Sequence, residues 1–372
     1  MSEKPVPDAS GKPSAKFSPI LIAVLVLLTA VVLGFAYYQN STAKSAGRAD
    51  NTLNLELLGL GAPVVNRLDE AYTDSDEDLV ADPPADATQL RTPEVLRFSY
   101  LSAKAADIDP TNWRPLMDAL AQGTGKQIEY VQHADVEAQL IALRSGALDI
   151  TAFNTGNVPR AVNAAGFVPV AAPAQDGELA SYETLIVAGT DTGISKVEDL
   201  RGKLVAFTRV GSNSGFKAPM VNLFRDFDMQ PERDFDPAFT GSHTNTIEEV
   251  AKGAYVAGSV ASDLFQSAIA EGKVDPKKFK TIYTSPAFPR AALGHAHDLA
   301  PGLAAAITET LLGFELSSTT VADEFIGQEV NGFAELAYKD DFALVRLIDD
   351  AVGFKHAIEP GTEPDSERSS AE

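Results

Sequence analysis

Residues 210–216, Val-Gly-Ser-Asn-Ser-Gly-Phe, place three small hydrogen-bonding side chains, Ser212, Asn213 and Ser214, between two glycines. An apolar run at 203–208 precedes them and a helical pattern over Ala218–Phe227 follows. A strand, a polar turn and a helix start in that order suit an anion, because the first N–H groups of a helix lack internal partners and carry the positive end of its dipole. A plain cap rich in Ser and Asn would use the same residues. The turn is not a Walker A loop, since no Gly-Lys-Ser/Thr closes it. Nor is it a nucleophile elbow, since Asn213 rather than Ser stands at its centre.

Two further residues could join it. His243, in Gly241-Ser-His-Thr244, precedes a helix that Asn245 and Glu248 are expected to cap. A loop His is either a surface group or, within reach of an oxyanion, a donor whose protonation assists binding. Asp263 opens a helix after an apolar strand, where the dipole already favours a carboxylate. His295, His297 and Asp298 lack a matched fourth ligand, so no metal or cofactor is expected.

These residues need a scaffold, and the chain supplies alternating signals. Val95–Leu101, Gln127–Val131 and Leu148–Phe153 read as strands. Trp113, Leu116, Met117 and Leu120 follow a helical period, and Val136–Leu143 does likewise. A second block repeats the pattern with strands at Thr184–Ala188, Lys203–Thr208, Tyr255–Val260 and Thr281–Thr284, and with helices between them. Gly302–Val352 reads as mainly helical. Strands separated by helices imply βαβ units, and two such blocks imply an α/β protein of two lobes.

The chain has 372 residues, no cysteine and a formal net charge of −22. That charge excludes a nucleic-acid partner, which needs a basic footprint. The absence of cysteine excludes disulfides, thiolate sites and a lipidated cysteine. Phe17–Tyr38 is almost wholly apolar and uncharged, and as a helix would span roughly 33 Å, enough to cross a bilayer. A cleaved secretory signal is the rival reading, although its apolar core would be shorter. The expected organisation is a cytoplasmic tail (1–16), a transmembrane anchor in the lipid bilayer (17–38), an acidic flexible linker (39–94), the first part of lobe 1 (95–186), lobe 2 (187–284), a return to lobe 1 with C-terminal helices (285–358) and a disordered tail (359–372). The linker reading rests on the run of Asp and Glu between Asp69 and Asp86 and on Pro83 and Pro84.

Several segments together resemble one family, the phosphate/phosphite/phosphonate-binding proteins that serve phosphonate-type ABC importers. They are Trp113–Leu116 (WRPL), Ala142–Ile150 (ALRSGALDI), Val197–Phe207 (VEDLRGKLVAF), Ser212–Gly215, Gly241–His243, Val260–Asp263 and Thr284–Pro286. The resemblance covers residues 95–355 and implies the type II periplasmic-binding fold, two α/β lobes with a ligand cleft between them. It implies a binding protein rather than an enzyme, one that captures a small phosphorus oxyanion (phosphate, phosphite or phosphonate) and presents it to an ABC permease. A sensor or accessory protein of the same fold, or less readily an enzyme on it, is the alternative. By the same resemblance Ser212, Asn213 and Ser214 hold the anion, with Asn213 where Thr is common, and His243 is the ligand histidine. Asp263 matches a position that faces an amine in aminophosphonate binders. Phe153 stands where such binders have Tyr, with Asn154 and Thr155 beside it as polar contacts. Arg290 and Ala291 replace an Asp-Tyr pair that normally approaches an aminoalkyl group, so the resemblance leaves the end opposite the phosphorus open.

Overall fold

The computed structural model describes residues 68–101, 110–317, 319–352 and 356–358. The expected tail, the anchor at 17–38, the first part of the linker and the tail at 359–372 lie outside the described residues. Among the described residues no helix is long and apolar enough to cross a membrane.

Two sheets organise the chain. Strands β1 (Val95–Ser99), β2 (Gln127–Tyr130) and β3 (Ile150–Phe153) are parallel, with β1 central. They are joined by α1 (Arg114–Thr124), which Gly125 ends at φ 66°, and by α2 (Val136–Arg144). Helix α3 (Val158–Ala165) then leads to β4 (Phe167–Gln175), which carries the short β5 (Glu178–Leu179). The second sheet runs β6 (Ser181–Gly189), β7 (Leu204–Phe207), β8 (Asp236–Phe239), β9 (Ala257–Ala261) and β10 (Phe279–Pro289), in the spatial order β10-β6-β9-β7-β8. Helices α4 (Ala218–Phe227), α5 (His243–Ala251) and α6 (Ser262–Ala270) connect its parallel strands and flank it. The chain returns to the first sheet through β11 (Ala292–Ala296), which lies antiparallel between β3 and β4. Helix α7 (Pro301–Leu312), edge strand β12 (Gly332–Glu335), the single turn α8 (Tyr338–Asp341) and α9 (Ala343–Ala351) complete it.

The lobes therefore change over at 180–181 and 289–292, a few residues outside the boundaries expected from the apolar runs. Those runs marked only parts of β6 and β10, which extend further at both ends, to Ser181 and Gly189 and to Phe279 and Pro289. The sequence reading also passed over β4, β11 and β12. β4 contains two prolines, Pro169 and Pro173, which ordinarily count against a strand, and β12 lies inside the stretch read as helical. The second core is built from Ile186, Val205, Phe207, Leu223, Phe235 and Ala257, between the sheet and its helices.

The flexible-linker reading of 39–94 is corrected for its later part. From Leu68 onward the chain packs on lobe 1. Asp69 pairs with Arg144 at 2.8 Å, Tyr72 sets its ring edge-on to His297 with centroids 4.7 Å apart, and Val80 and Ala81 are buried. Arg91 bridges Asp149 at 2.6 Å and Asp298 at 2.7 Å. The acidic run does not simply repel itself, because its carboxylates accept backbone N–H groups. Asp74 receives those of Asp78 and Leu79, and Asp82 receives that of Ser75. With their charge spent on turns, the few apolar side chains can dock.

Candidate functional site

The C-terminal ends of β3 in lobe 1 and of β7, β8 and β9 in lobe 2 are where open α/β sheets place their ligands. The polar turn after β7 lies there. Ser212 stands just before a five-residue wide turn, Asn213–Lys217, that runs directly into α4, so the helix begins earlier than the apolar period indicated. Its Oγ accepts the Gly215 N–H at 3.0 Å. Glycine is required at 215: a Cβ there would lie 2.7 Å from Ser212 Oγ and collide with Thr208. Asn213 and Ser214 are buried, and the Ser214 carbonyl accepts from Ser259 Oγ at 2.8 Å, which ties the turn to β9.

His243 is the first residue of α5, and Ser242 rather than Asn245 caps that helix, its Oγ accepting the Asn245 N–H at 3.1 Å. The imidazole is fixed from two sides. Its Nδ1 accepts the Ala261 N–H at 3.1 Å, so the proton belongs on Nε2, which stands 3.3 Å from Ser212 Oγ. Burial, aided by the nearby Arg209 charge, holds its pKa at about 4. His243 is therefore a neutral donor at physiological pH, which corrects the expectation that its protonation assists binding.

A residue the sequence reading missed completes the cluster. Tyr182, the second residue of β6, places its hydroxyl 3.2 Å from Asn213 Nδ2. Burial raises its pKa to about 12, so it stays protonated. The available signal was position: an aromatic at the start of a strand that crosses between lobes. Thr155 also donates to the Pro289 carbonyl at 2.9 Å.

The other expected residues separate. Asn154 is exposed, and its Oδ1 accepts the Asn157 N–H at 3.2 Å, shaping the turn into α3. Phe153 is corrected outright: it is buried in the lobe 1 core, edge-on to Phe167 with centroids 5.0 Å apart, because β3 is covered on both faces. Arg290 is buried, pairs with Asp263 at 3.3 Å and also bonds Gln328. Desolvation pulls its pKa down.

Lys217 closes the floor of the turn. Fully buried, its Nζ donates to the Gly156 carbonyl of lobe 1 at 2.6 Å and to Asp349 of α9. Gly156 lies so close that a Cβ on it would stand 2.6 Å from the Asn213 nitrogen. Chemically, the arrangement offers hydroxyls, helix-start N–H groups and one neutral imidazole N–H in a buried place between two lobes. Such a set has the chemistry that suits an anion. Among the described residues it contains no base aligned on a nucleophile, since the His243 Nδ1 lone pair is already occupied.

A family model described as "ABC transporter, phosphonate, periplasmic substrate-binding protein" matches residues 98–341. A phosphate-import protein from Mycolicibacterium smegmatis is 26% identical over 215 residues, 55% of this chain and 67% of that protein. Among solved structures, PhnD1 from Prochlorococcus marinus in complex with methylphosphonate aligns with a TM-score of 0.59 at 15% identity, covering 70% of this chain and 99% of that one. A binding protein from Xanthomonas citri, XAC2383, bound to chloride, aligns with a TM-score of 0.57 at 20% identity over 70% of this chain and 99% of its own. At such identities the structures speak for the two-lobed α/β fold, and the family match, spanning more than half the chain, speaks for descent. The chain belongs to the family of periplasmic phosphonate substrate-binding proteins of ABC transporters.

Proposed function

We propose that this protein captures a small phosphorus oxyanion between its lobes and delivers it to an ABC permease. The observation that carries the reading is the convergence of Ser212, Ser214 and the neutral His243 Nε2–H on one buried helix start. The relatives agree in chemistry: one is named for phosphate import, and another holds methylphosphonate. Ser212, Asn213, Ser214, His243 and Thr155 surround the anion. Closure exchanges its water for fixed dipoles, and each charge-assisted hydrogen bond contributes about 1.5–3 kcal/mol. The net charge of −22 opposes approach at long range, so capture depends on local donors within a screening length of roughly 8 Å.

Residues 17–38 anchor the protein in the inner membrane as a single pass, with residues 1–16 cytoplasmic and the lobes outside the cytoplasm. Calorimetric titration with phosphate, phosphite and methylphosphonate tests the ligand class. Fractionation tests the anchor: the full-length chain should remain with membranes after a high-salt wash. A mature N-terminus beyond residue 40 would refute the anchor.

A further inference from the structure

We propose that Lys217 is a peg by which lobe 2 locks into lobe 1 when the cleft is shut, and that Asp349 and His356 build the socket for it. The role assigned to these residues is to hold the turn in place and so to set how long a captured anion stays, not to contact the anion. The inference rests on the reading of the 212–214 turn as the anion site.

Lys217 ends the five-residue turn that Asn213 begins, so lobe 2 carries it on the same piece of backbone as the site. Its ammonium group nevertheless bonds two groups of lobe 1. Nζ donates to the Gly156 carbonyl at 2.6 Å and to the Asp349 carboxylate on α9. Lysine and aspartate side chains are both wholly shut from solvent. Gly156 itself presses on the turn, since a Cβ there would collide with the Gly211 carbonyl and the Asn213 nitrogen.

The socket is fastened to lobe 1 from behind. Helix α9 arrives from β12 of the first sheet by way of α8. His356, beyond its end, sets Nε2 3.0 Å from the second oxygen of Asp349 and Nδ1 2.6 Å from the side-chain amide of Asn163 on α3. Arg160, also on α3, donates to the carbonyls of His356 and Ala357 at 3.2 and 2.9 Å. A line of contacts thus runs from α3 of lobe 1 through His356 and Asp349 to Lys217 and the turn of lobe 2.

A buried ion pair adds little net stability over an apolar pair of like volume, because its dehydration offsets its attraction. It differs in its response to water. While the lobes are together the pair is dry and the attraction strong, whereas a movement that admits water screens it and hydrates both charges. The contact therefore opposes the first small parting of the lobes and hardly opposes the rest. Lys217 and the anion donors share one turn, so seating the ligand and seating the peg take the same movement. Such a catch slows dissociation and leaves association alone, since the anion enters while the lobes are apart.

The chain has no cysteine, so two introduced ones can carry a donor and an acceptor dye without competition. Gln122→Cys on α1 and Lys252→Cys beside α5 use exposed positions, one in each lobe. Energy transfer between them, followed by stopped flow on the full-length chain with phosphate and with methylphosphonate, reads closing and reopening. Replacing the pair together, Lys217→Met with Asp349→Leu, should speed dissociation at least ~10-fold and change association by less than ~3-fold. His356→Ala should speed dissociation ~3-fold or more, and His356→Gln, whose amide reaches the position of Nε2, should restore it. If the paired variant fails to fold, the two His356 variants decide. Dissociation unchanged in the paired variant and in His356→Ala, or a loss of affinity carried by association instead, would overturn the inference while leaving the anion site standing. If the chain with Lys217, Asp349 and His356 intact binds neither anion, the site reading and this inference fall together.

Discussion

Arg290 and Asp263 form a buried ion pair, 3.3 Å between Nη1 and the carboxylate, where the chain leaves lobe 2 and α6 begins. Asp263 is the position that the family resemblance sets against a ligand amine, and here a guanidinium of this same chain already neutralises it. The protein should bind phosphate, phosphite or methylphosphonate more tightly than 2-aminoethylphosphonate. Arg290→Gln should improve 2-aminoethylphosphonate binding relative to phosphate by roughly tenfold, since it returns one carboxylate to an incoming ammonium. Competition calorimetry on the two proteins checks this, and a wild-type preference for the amine would refute it.

Ser214→Ala removes one hydroxyl from the turn without opening a large void. Anion affinity should fall by about 1–3 kcal/mol, or roughly 5- to 150-fold. Thermal stability should change little, because the bond from Ser259 Oγ to the Ser214 carbonyl survives. Unchanged affinity would remove Ser214 from the site.

His243 predicts a pH dependence of stability rather than of binding. Its pKa falls from 6.5 to about 4 on folding, so between those values the unfolded chain binds the extra proton. The stability is fully present above the unfolded pKa. It declines as pH falls through that value and is lost by the folded one, on the order of 3 kcal/mol in all. His295 and His297, also lowered by burial, act in the same direction. Thermal melts from neutral to acidic pH should show a shallower loss for His243→Asn than for the wild-type protein. Parallel curves would place the lowering elsewhere.

Arg91 tests the docked segment. Asp149 is fully buried and takes both Arg91 and the Arg97 N–H, the latter at 2.8 Å. Removing Arg91 leaves that carboxylate short of its counter-charge and also frees Asp298. Because the Arg91 side chain keeps 27% exposure, the expected loss is about 2–3 kcal/mol, below the cost for a fully buried pair. Urea denaturation of Arg91→Ala, and of chains starting at 68 and at 95, should show the variant and the shorter chain similarly weakened.

What could be read from the sequence follows physical range. The βαβ rhythm, the capped turn at 212–215 and the strand start at Val95 depend on periodicity and caps within a few residues, and these were legible. The Arg91–Asp298 bridge spans 207 positions, and nothing local announces it. Phe153 and Tyr182 make the same point within the site. Each is an aromatic at one end of a strand, and only the packing of Phe167 against one and of Asn213 beside the other shows which enters the cluster. Which nitrogen of His243 carries the proton was equally hidden, because it depends on the Ala261 N–H, 18 residues further along the chain.

Tyr182 and Arg290 flank the paired strands through which the chain passes between lobes, with Tyr182 opposite Phe288 and Ser181 opposite Pro289. On the proposed reading, Tyr182 therefore lies in, and Arg290 just beyond, the strands that bend when the lobes part. Diet and tempo are then inherited together. A lineage that altered either residue to harvest a different nutrient would also reset how long each molecule is retained. Stopped-flow release rates across such variants should drift along with their ligand preferences.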